Sequence, residues 1–215
     1  MSRLSLLALL LFFLSFIAGC LTRSECLDRS ATESGFSRYI LQGKNFRHLA
    51  YFHWGSRRTE TLHVYLEGDG SPWRRNNEIN PDPTPRESLV LHLMAEDPNS
   101  SLYLARPCYN GFADQPPCSA YFWTFGRFSD QIIDSMEEAL NSFLNKQKFK
   151  DVRFFGHSGG GVMAMLLAER IDKTLSVVTI GGNLDIRTWC KYHGYTPLAG
   201  SINPFERPPL NPSIK

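Results

Sequence analysis

The sequence has no run of basic residues and almost no net charge. Its 23 lysine and arginine residues are nearly balanced by 21 acidic residues, which leaves a formal net charge of +2. Because a basic patch is missing, we expect no nucleic-acid partner. Internal repeats and low-complexity blocks are also missing, and 42% of the residues are apolar. This composition predicts a globular chain, and 215 residues suffice for one sizeable core.

Long hydrophobic runs are missing except at the N-terminus. The apolar stretch 4–19 follows Arg3 and holds about 16 residues, fewer than the ~20 that a membrane-spanning helix needs. The small residues Ala18 and Gly19 precede Cys20, as in a cleaved secretory signal peptide. The N-terminus therefore predicts export.

The residues IAGC at 17–20 also resemble a bacterial lipobox. The resemblance implies that residues 1–19 are a lipoprotein signal peptide and that Cys20 carries lipid after cleavage. Acyl chains on Cys20 would make membrane lipid a partner of the chain and hold it on a membrane. Leu21 stands where an acidic inner-membrane retention signal would be, so we expect the bacterial cell envelope, with the outer membrane favoured over the inner. A plain signal peptide or an uncleaved anchor is the alternative.

The cysteines show no C-x-x-C spacing, which argues against a metal site or a thioredoxin-like motif. In an exported protein, disulfide pairing is the default for the four cysteines that follow Cys20. Cys108 and Cys118 close a short, proline-rich loop, and we expect them to form a disulfide. Cys26 and Cys190 are then left either free or paired.

Strands and helices alternate through the predicted domain at 41–215, which follows a polar stretch at 20–40 that suits a tether. Strands 46–54 and 61–68 are expected to be neighbours, joined by a turn. The pattern predicts further strands at 101–107, 152–156 and 175–182, and helices at 85–97, 129–147 and 161–170. Apolar strands separated by helices indicate an α/β fold: a mostly parallel sheet with helices on both faces.

The stretch GHSGG at 156–160 fits the pattern G-x-S-x-G. An apolar strand precedes Ser158 and a helix follows it, which is the context that a nucleophilic serine on a sharp strand-to-helix turn requires. The N-terminus of that helix favours developing negative charge. Ser158 is therefore the predicted nucleophile. A glycine-rich helix start with an incidental serine is the alternative.

Several motifs together resemble the alpha/beta-hydrolases, and within them a group of bacterial exported serine hydrolases. They are YLEGDG, PTPRES, LARPCY, FWTFGRFS, GHSGGG and NLDIRTWCKYHGYTPLAGSINP, and they extend over about residues 45–205. The resemblance implies cleavage of an ester substrate through an acyl-enzyme at Ser158, without a cofactor. It also implies an oxyanion hole made by the amide of Gly159 and that of Gly68 or Asp69. Glu67 and Asp69 have no clustered histidines near them in sequence, so we expect no metal.

A base for Ser158 is harder to find. In alpha/beta-hydrolases the acid and the histidine follow the serine in the chain. Only residues 159–215 follow Ser158, and the proline-rich end suits neither strand nor helix. Asp185 and His193 have the right order, although Asp185 could instead shape the pocket or hold its loop. For the other five histidines we expect structural or surface roles.

Two explanations of this short C-terminal part stay open. Either the chain is a truncated hydrolase that lacks the last strands of the fold, or it is a short member with a rearranged triad. The proline-rich end favours truncation, and we then expect weak or absent ester turnover. The alternative function is a hydrolase-like lipoprotein that has no catalytic activity and a binding role in the cell envelope.

Overall fold

The computed structural model describes residues 22–57 and 59–215. The predicted signal peptide and Cys20 lie outside the described residues, so both stay predictions. No helix in the described part of the chain is long and apolar enough to cross a membrane.

One six-stranded sheet organises the chain. Its strands are β1 (Ser37–Gln42), β2 (Arg47–His53), β3 (Thr61–Leu66), β4 (Ser101–Leu104), β5 (Asp151–His157) and β6 (Thr174–Ile180). Their order across the sheet is β1-β2-β4-β3-β5-β6. Strand β2 pairs antiparallel with β1 and β4, whereas β4, β3, β5 and β6 run parallel to one another. The predicted α/β fold with a mostly parallel sheet is confirmed.

Five α-helices of the described residues cover the two faces of the sheet. They are α1 (Arg23–Glu33), α2 (Leu89–Ala95), α3 (Asp130–Gln147), α4 (Gly159–Arg170) and α5 (Ile186–His193). Apolar residues of α3, α4 and α5 share one buried cluster, and those of α1 and α2 share another. Neighbouring residues of β2 divide between the clusters, Ala50 in the first and Tyr51 in the second, because side chains alternate along a strand.

The segment favoured as a tether at 20–40 is instead folded where the structure describes it. Thr22 and Glu25 form a capping box that starts α1, and this reciprocal pairing satisfies amides that would otherwise lack partners. Leu27 and Ala31 lie four residues apart on one face of α1, and both are buried. These local signals explain why a polar segment packs against the sheet.

The expected pairing of the strands at 46–54 and 61–68 is wrong. Strand β4 lies between β2 and β3 and pairs with both. All four residues of β4 are buried, which suits a central position in the sheet better than an edge. The turn expected at 55–58 is therefore not a hairpin between adjacent strands.

The predicted disulfide between Cys108 and Cys118 is confirmed, with Cα atoms 5.4 Å apart. Cys26 is exposed and Cys190 is buried, and both are free thiols. The disulfide closes the loop after β4, close in sequence to Arg106 and Tyr109, which contact the candidate site.

Candidate active site

Ser158 lies at a sharp turn between β5 and α4. Its backbone angles are φ 51° and ψ −122°, a conformation that non-glycine residues rarely adopt and that costs energy to hold. The amide of Ser158 donates a hydrogen bond of 2.9 Å to the carbonyl of Ile180 in β6, which ties the strained residue to the neighbouring strand. Strain of this kind places the serine side chain at the tip of the turn.

Three glycines around Ser158 allow this turn to close. A Cβ atom at Gly156 would overlap the carbonyl of Gly160, and one at Gly160 would overlap the carbonyl of Leu66. A Cβ atom at Gly159 would overlap Oδ1 of Asp69. The turn therefore depends on close approach between the start of α4 and the loop after β3, which only residues without a side chain permit.

The loop at 67–70 faces Ser158. A Cβ atom built on Gly68 would lie 3.4 Å from both Cβ of Ser158 and Nδ1 of His157. The amide of Gly68 donates a 2.9 Å hydrogen bond to Oε1 of Glu67, so this amide already has a partner. Of the two candidate donors that the sequence offers on this loop, Gly68 and Asp69, the structure thus leaves the amide of Asp69.

Glu67 is held from three sides. The hydroxyl of Ser88, which also caps α2, donates to Oε2 of Glu67. Nδ1 of His157 lies 3.3 Å from Oε1, beside the amide of Gly68. His157 adjoins the serine in sequence, yet its ring is directed at the loop after β3, where it supports that loop.

Two arginines form ion pairs with the carboxylate of Asp69. Nη2 of Arg106 lies 2.7 Å from Oδ1, and Nη1 of Arg127 lies 2.7 Å from Oδ2. Burial raises the pKa of Asp69, but the charges of Arg106 and Arg127 outweigh burial and hold it below its ordinary value. The hydroxyl of Tyr109 donates a 3.0 Å hydrogen bond to the carbonyl of Asp69. Asp69 is therefore an ionised residue whose carboxylate forms an ion pair with Arg106 and a hydrogen-bonded ion pair with Arg127. No hydrogen bond to its amide occurs among the described residues.

The amide of Gly159 is the second candidate donor. Gly159 is the first residue of α4, so its N–H has no carbonyl to bond within the helix. Asp69 and Gly159 lie against each other, as the overlap of a Cβ at Gly159 with Oδ1 of Asp69 shows. The amides of Asp69 and Gly159, which have no hydrogen-bond partner among the described residues, therefore belong to two segments that contact each other next to Ser158.

Asp185 and His193 do not come together. Asp185 caps the N-terminus of α5 and accepts hydrogen bonds of 3.1 Å from the amide of Thr188 and from Nδ2 of Asn203. The bonds from Thr188 lower the pKa of Asp185. His193 is the last residue of the same helix, about 12 Å further along its axis. A hydrogen bond between the two is excluded in this arrangement, and Asp185 holds its loop instead.

His193 is exposed and surrounded by aromatic rings. Its ring centroid lies 5.5 Å from that of Trp189, 4.9 Å from that of Tyr192 and 5.3 Å from that of Tyr195. His48 and His63 are bound to Ser135 and Asp97, away from the turn. Within residues 22–57 and 59–215, the structure gives no hydrogen bond between Ser158 and a histidine.

Sequence reasoning missed Arg106, Arg127 and Tyr109 as parts of this site. A signal was present for Arg106, because it lies two residues after the buried β4, at the carboxyl end of a parallel strand, where ligand sites of α/β sheets gather. Arg127 comes from the loop before α3, and nothing in its local sequence connects it to Asp69. Over the described ranges, no group of three or more histidine, cysteine or acidic residues could hold a metal ion.

Both the sequence and the fold of this chain were compared with those of known proteins. Residues 96–190 match the family model of class 3 lipases. No curated protein matches the sequence. The chain superposes on proline iminopeptidase of Mycobacterium smegmatis with a TM-score of 0.50 at 13% identity, covering 74% of this chain and 48% of that one.

Two further solved structures agree in fold. For the acylaminoacyl peptidase of Pyrococcus horikoshii the TM-score is 0.51 at 14% identity, over 80% of this chain and 28% of that one. For a bacterial membrane phospholipase A the TM-score is 0.50 at 18% identity, over 92% of this chain and 59% of that one. The chain spans less than two-thirds of the length of each of these structures. The chain has the alpha/beta-hydrolase fold, as its sequence motifs predicted.

Proposed function

We propose that this alpha/beta-hydrolase is an exported serine hydrolase that cleaves carboxylic esters through an acyl-enzyme at Ser158. The observation that carries the proposal is the strained backbone of Ser158 between β5 and α4, at φ 51°. A protein holds a serine in such a conformation only where the surrounding structure enforces it, and sites of this kind cluster where chemistry occurs. The match of residues 96–190 to class 3 lipases supports an ester as the substrate class.

The first chemical step would be attack of the Ser158 hydroxyl oxygen on the ester carbonyl carbon. The bond to the carbonyl carbon forms, the carbonyl oxygen becomes an oxyanion, and the amides of Asp69 and Gly159 donate hydrogen bonds to it. The positive end of the α4 dipole adds to this stabilisation. Collapse of the oxyanion breaks the bond between the carbonyl carbon and the leaving oxygen, which takes a proton from water and departs as the alcohol. The ester left between the acyl group and Ser158 is then hydrolysed by water.

The hydroxyl proton must pass to a base for this reaction to be fast. Asp185 and His193 do not form that base, because they stand at opposite ends of α5. His157 is directed at Glu67. We therefore propose that solvent water takes the proton of Ser158, while the two amides and the helix dipole stabilise the oxyanion without a histidine from the described part of the chain. Because water is a weak base, we expect slow acylation.

Attachment to a membrane belongs to the same proposal. The lipobox resemblance at IAGC supports lipidation of Cys20, which would hold the hydrolase at the bacterial cell envelope, with the outer membrane favoured. A lipid anchor would bring the site close to the ester bonds of membrane lipids. The alternative is a hydrolase-like lipoprotein that binds such a lipid or another envelope partner without cleaving it.

Trapping of the acyl-enzyme tests the proposal. The purified chain is incubated with p-nitrophenyl butyrate, and the reaction is then quenched with acid. Peptide mass mapping locates any butyryl group. We expect the group on Ser158, its loss in Ser158→Ala, and no change in Ser213→Ala, which removes an exposed serine from the C-terminal tail. A chain that binds the ester but never carries an acyl group would favour the binding lipoprotein.

A further inference from the structure

The carboxylate of Asp69 connects four separate parts of the fold. Asp69 itself follows β3, Arg106 follows β4, Arg127 precedes α3, and Gly159 begins α4. The space that a side chain at Gly159 would need is filled by Oδ1 of Asp69. An anion at a helix N-terminus and between two guanidinium groups is favourably placed on both counts.

Both arginines are themselves fixed. The exposed fractions of Arg106 and Arg127 are 6% and 5%. The guanidinium carbon of Arg106 lies 5.0 Å from the ring centroid of Phe128, and Nε of Arg127 donates a 2.7 Å hydrogen bond to the carbonyl of Thr124. Arg106 is held by burial and packing against Phe128, and Arg127 by burial and its hydrogen bond to Thr124, so neither planar guanidinium has much freedom to follow a moving partner.

We propose that Arg106 and Arg127 are positioning residues that, by clamping the Asp69 carboxylate, fix the amides of Asp69 and Gly159 as one rigid oxyanion-binding pair. We call Asp69, Arg106 and Arg127 together the clamp. This inference rests on the proposed function and extends it to residues that touch neither the ester nor Ser158. It also explains why Asp69 has a buried, charged side chain although only its backbone amide would bind the oxyanion.

Rigidity matters here because oxyanion stabilisation depends on donors that are in place before the reaction. The carbonyl of Asp69 is held by Tyr109, and its carboxylate by the two arginines, so the orientation of the peptide unit before it is constrained from both sides. Loss of either arginine would let the loop at 67–70 move relative to α4. Displacements of about 1 Å at such a site typically reduce rates by about a hundredfold.

Hydrogen exchange tests the clamp without any need for catalysis. The amides of Gly68 and Ser71 donate to Glu67 and to the carbonyl of Pro83, so they report on the order of this loop. In Arg106→Met and Arg127→Met we expect exchange of a peptide spanning 67–71 to be at least tenfold faster. Arg106→Lys and Arg127→Lys, which keep the charge, should restore part of the protection.

Arg170→Met is the matched control. Arg170 pairs with Asp130 and Asp134 and so joins α4 to α3 on another part of the surface. Its removal should lower the melting temperature without accelerating exchange at 67–71. Unchanged exchange at 67–71 in both clamp variants, or equal acceleration in Arg170→Met, would overturn the clamp.

Labelling of Ser158 by a fluorophosphonate gives a second readout. In the two methionine variants we expect the maximal labelling rate to fall at least tenfold while the probe concentration for half-maximal rate stays unchanged, because the clamp acts on the oxyanion and not on binding. A change in the half-maximal concentration alone would contradict this role. If the unsubstituted chain takes no label, the proposed hydrolase function fails, and the exchange comparison still decides whether the clamp orders the loop.

Discussion

Nε2 of His48 lies 2.8 Å from the hydroxyl oxygen of Ser135, and this buried pair joins β2 to α3. Nδ1 of the same ring lies 3.2 Å from the carbonyl of Ala105. A carbonyl only accepts, so Nδ1 carries the proton, and Nε2 accepts from Ser135. The neutral ring thus satisfies both partners, and a second proton would place a charge on a buried ring and require the Ser135 hydroxyl to turn and accept instead of donate.

This pair predicts a loss of stability in mild acid. Burial lowers the pKa of His48 to about 4 from its ordinary 6.5. The unfolded chain therefore binds a proton between these two values that the folded chain excludes, and folding weakens as the pH falls from 6.5 through 4. The contribution lost is about 3 kcal/mol.

Urea unfolding at pH 7 and pH 4.5 measures this loss. The variant His48→Gln has no group that titrates in this range at position 48, so its stability should fall less than that of the unsubstituted chain between the two pH values. An equal fall in both proteins would show that carboxylates elsewhere, and not His48, cause the acid sensitivity.

Gly160→Ala should damage the turn that carries Ser158. The new methyl group would overlap the carbonyl of Leu66, and backbone atoms cannot move aside cheaply. We expect the free energy of unfolding to fall by about 3 kcal/mol or more. Gly161→Ala is the control on the next residue, where the nearest atom would be 3.1 Å away, and it should change stability by about 1 kcal/mol or less. Chemical denaturation of both variants checks the difference, and equal stabilities would contradict the packing described for this turn.

Asp185→Ala should affect stability and leave acylation of Ser158 unchanged. The substitution removes the cap of α5 and the contact with Asn203, which should lower the melting temperature. Asp185→Asn keeps a capping oxygen and should lower it less. Thermal unfolding and butyryl transfer to Ser158 are measured on the same preparations. A tenfold fall in acylation in Asp185→Asn, with stability unaltered, would instead give this carboxylate a catalytic role.

Cys20→Ser should release the chain from membranes or block its processing. The expectation follows from the lipobox resemblance at 17–20, since a serine hydroxyl cannot replace the thiol that accepts the lipid. Fractionation and intact mass of the exported chain measure both effects, with Cys26→Ser as the control at a second, exposed cysteine. Unchanged processing and membrane association in Cys20→Ser would exclude lipidation at this position.

The strands and helices near Ser158 could be predicted because local sequence determines them. Strand β5, the glycines at 156–160 and helix α4 are contiguous. The apolar residues of the strand and the helix-forming residues of α4 can therefore be read from one short segment of sequence. The disulfide between Cys108 and Cys118 was predictable for the same reason, since it closes a short loop.

The parts that could not be predicted depend on contacts between distant residues. The position of β4 between β2 and β3 depends on how strands far apart in sequence pack in the sheet, and no short segment of sequence shows this order. Helix α1 was missed because its periodic apolar face consists of only Leu27 and Ala31, while its capping box lies in a polar stretch. The clamp joins positions 58 and 37 residues from Asp69, and a charge in a sequence does not show that it is buried. Asp185 and His193 are separated because one helix, α5, extends from the first to the second, and the sequence pattern did not predict this helix.

Fluorophosphonate labelling of the 215-residue chain, followed by peptide mapping, tests most directly whether Ser158 is a nucleophile. We predict slow labelling on Ser158 that disappears in Ser158→Ala and is unchanged in His193→Ala, because His193 is exposed at the far end of α5. Absence of any label on Ser158, under conditions in which an active serine hydrolase is labelled to completion, would contradict the account.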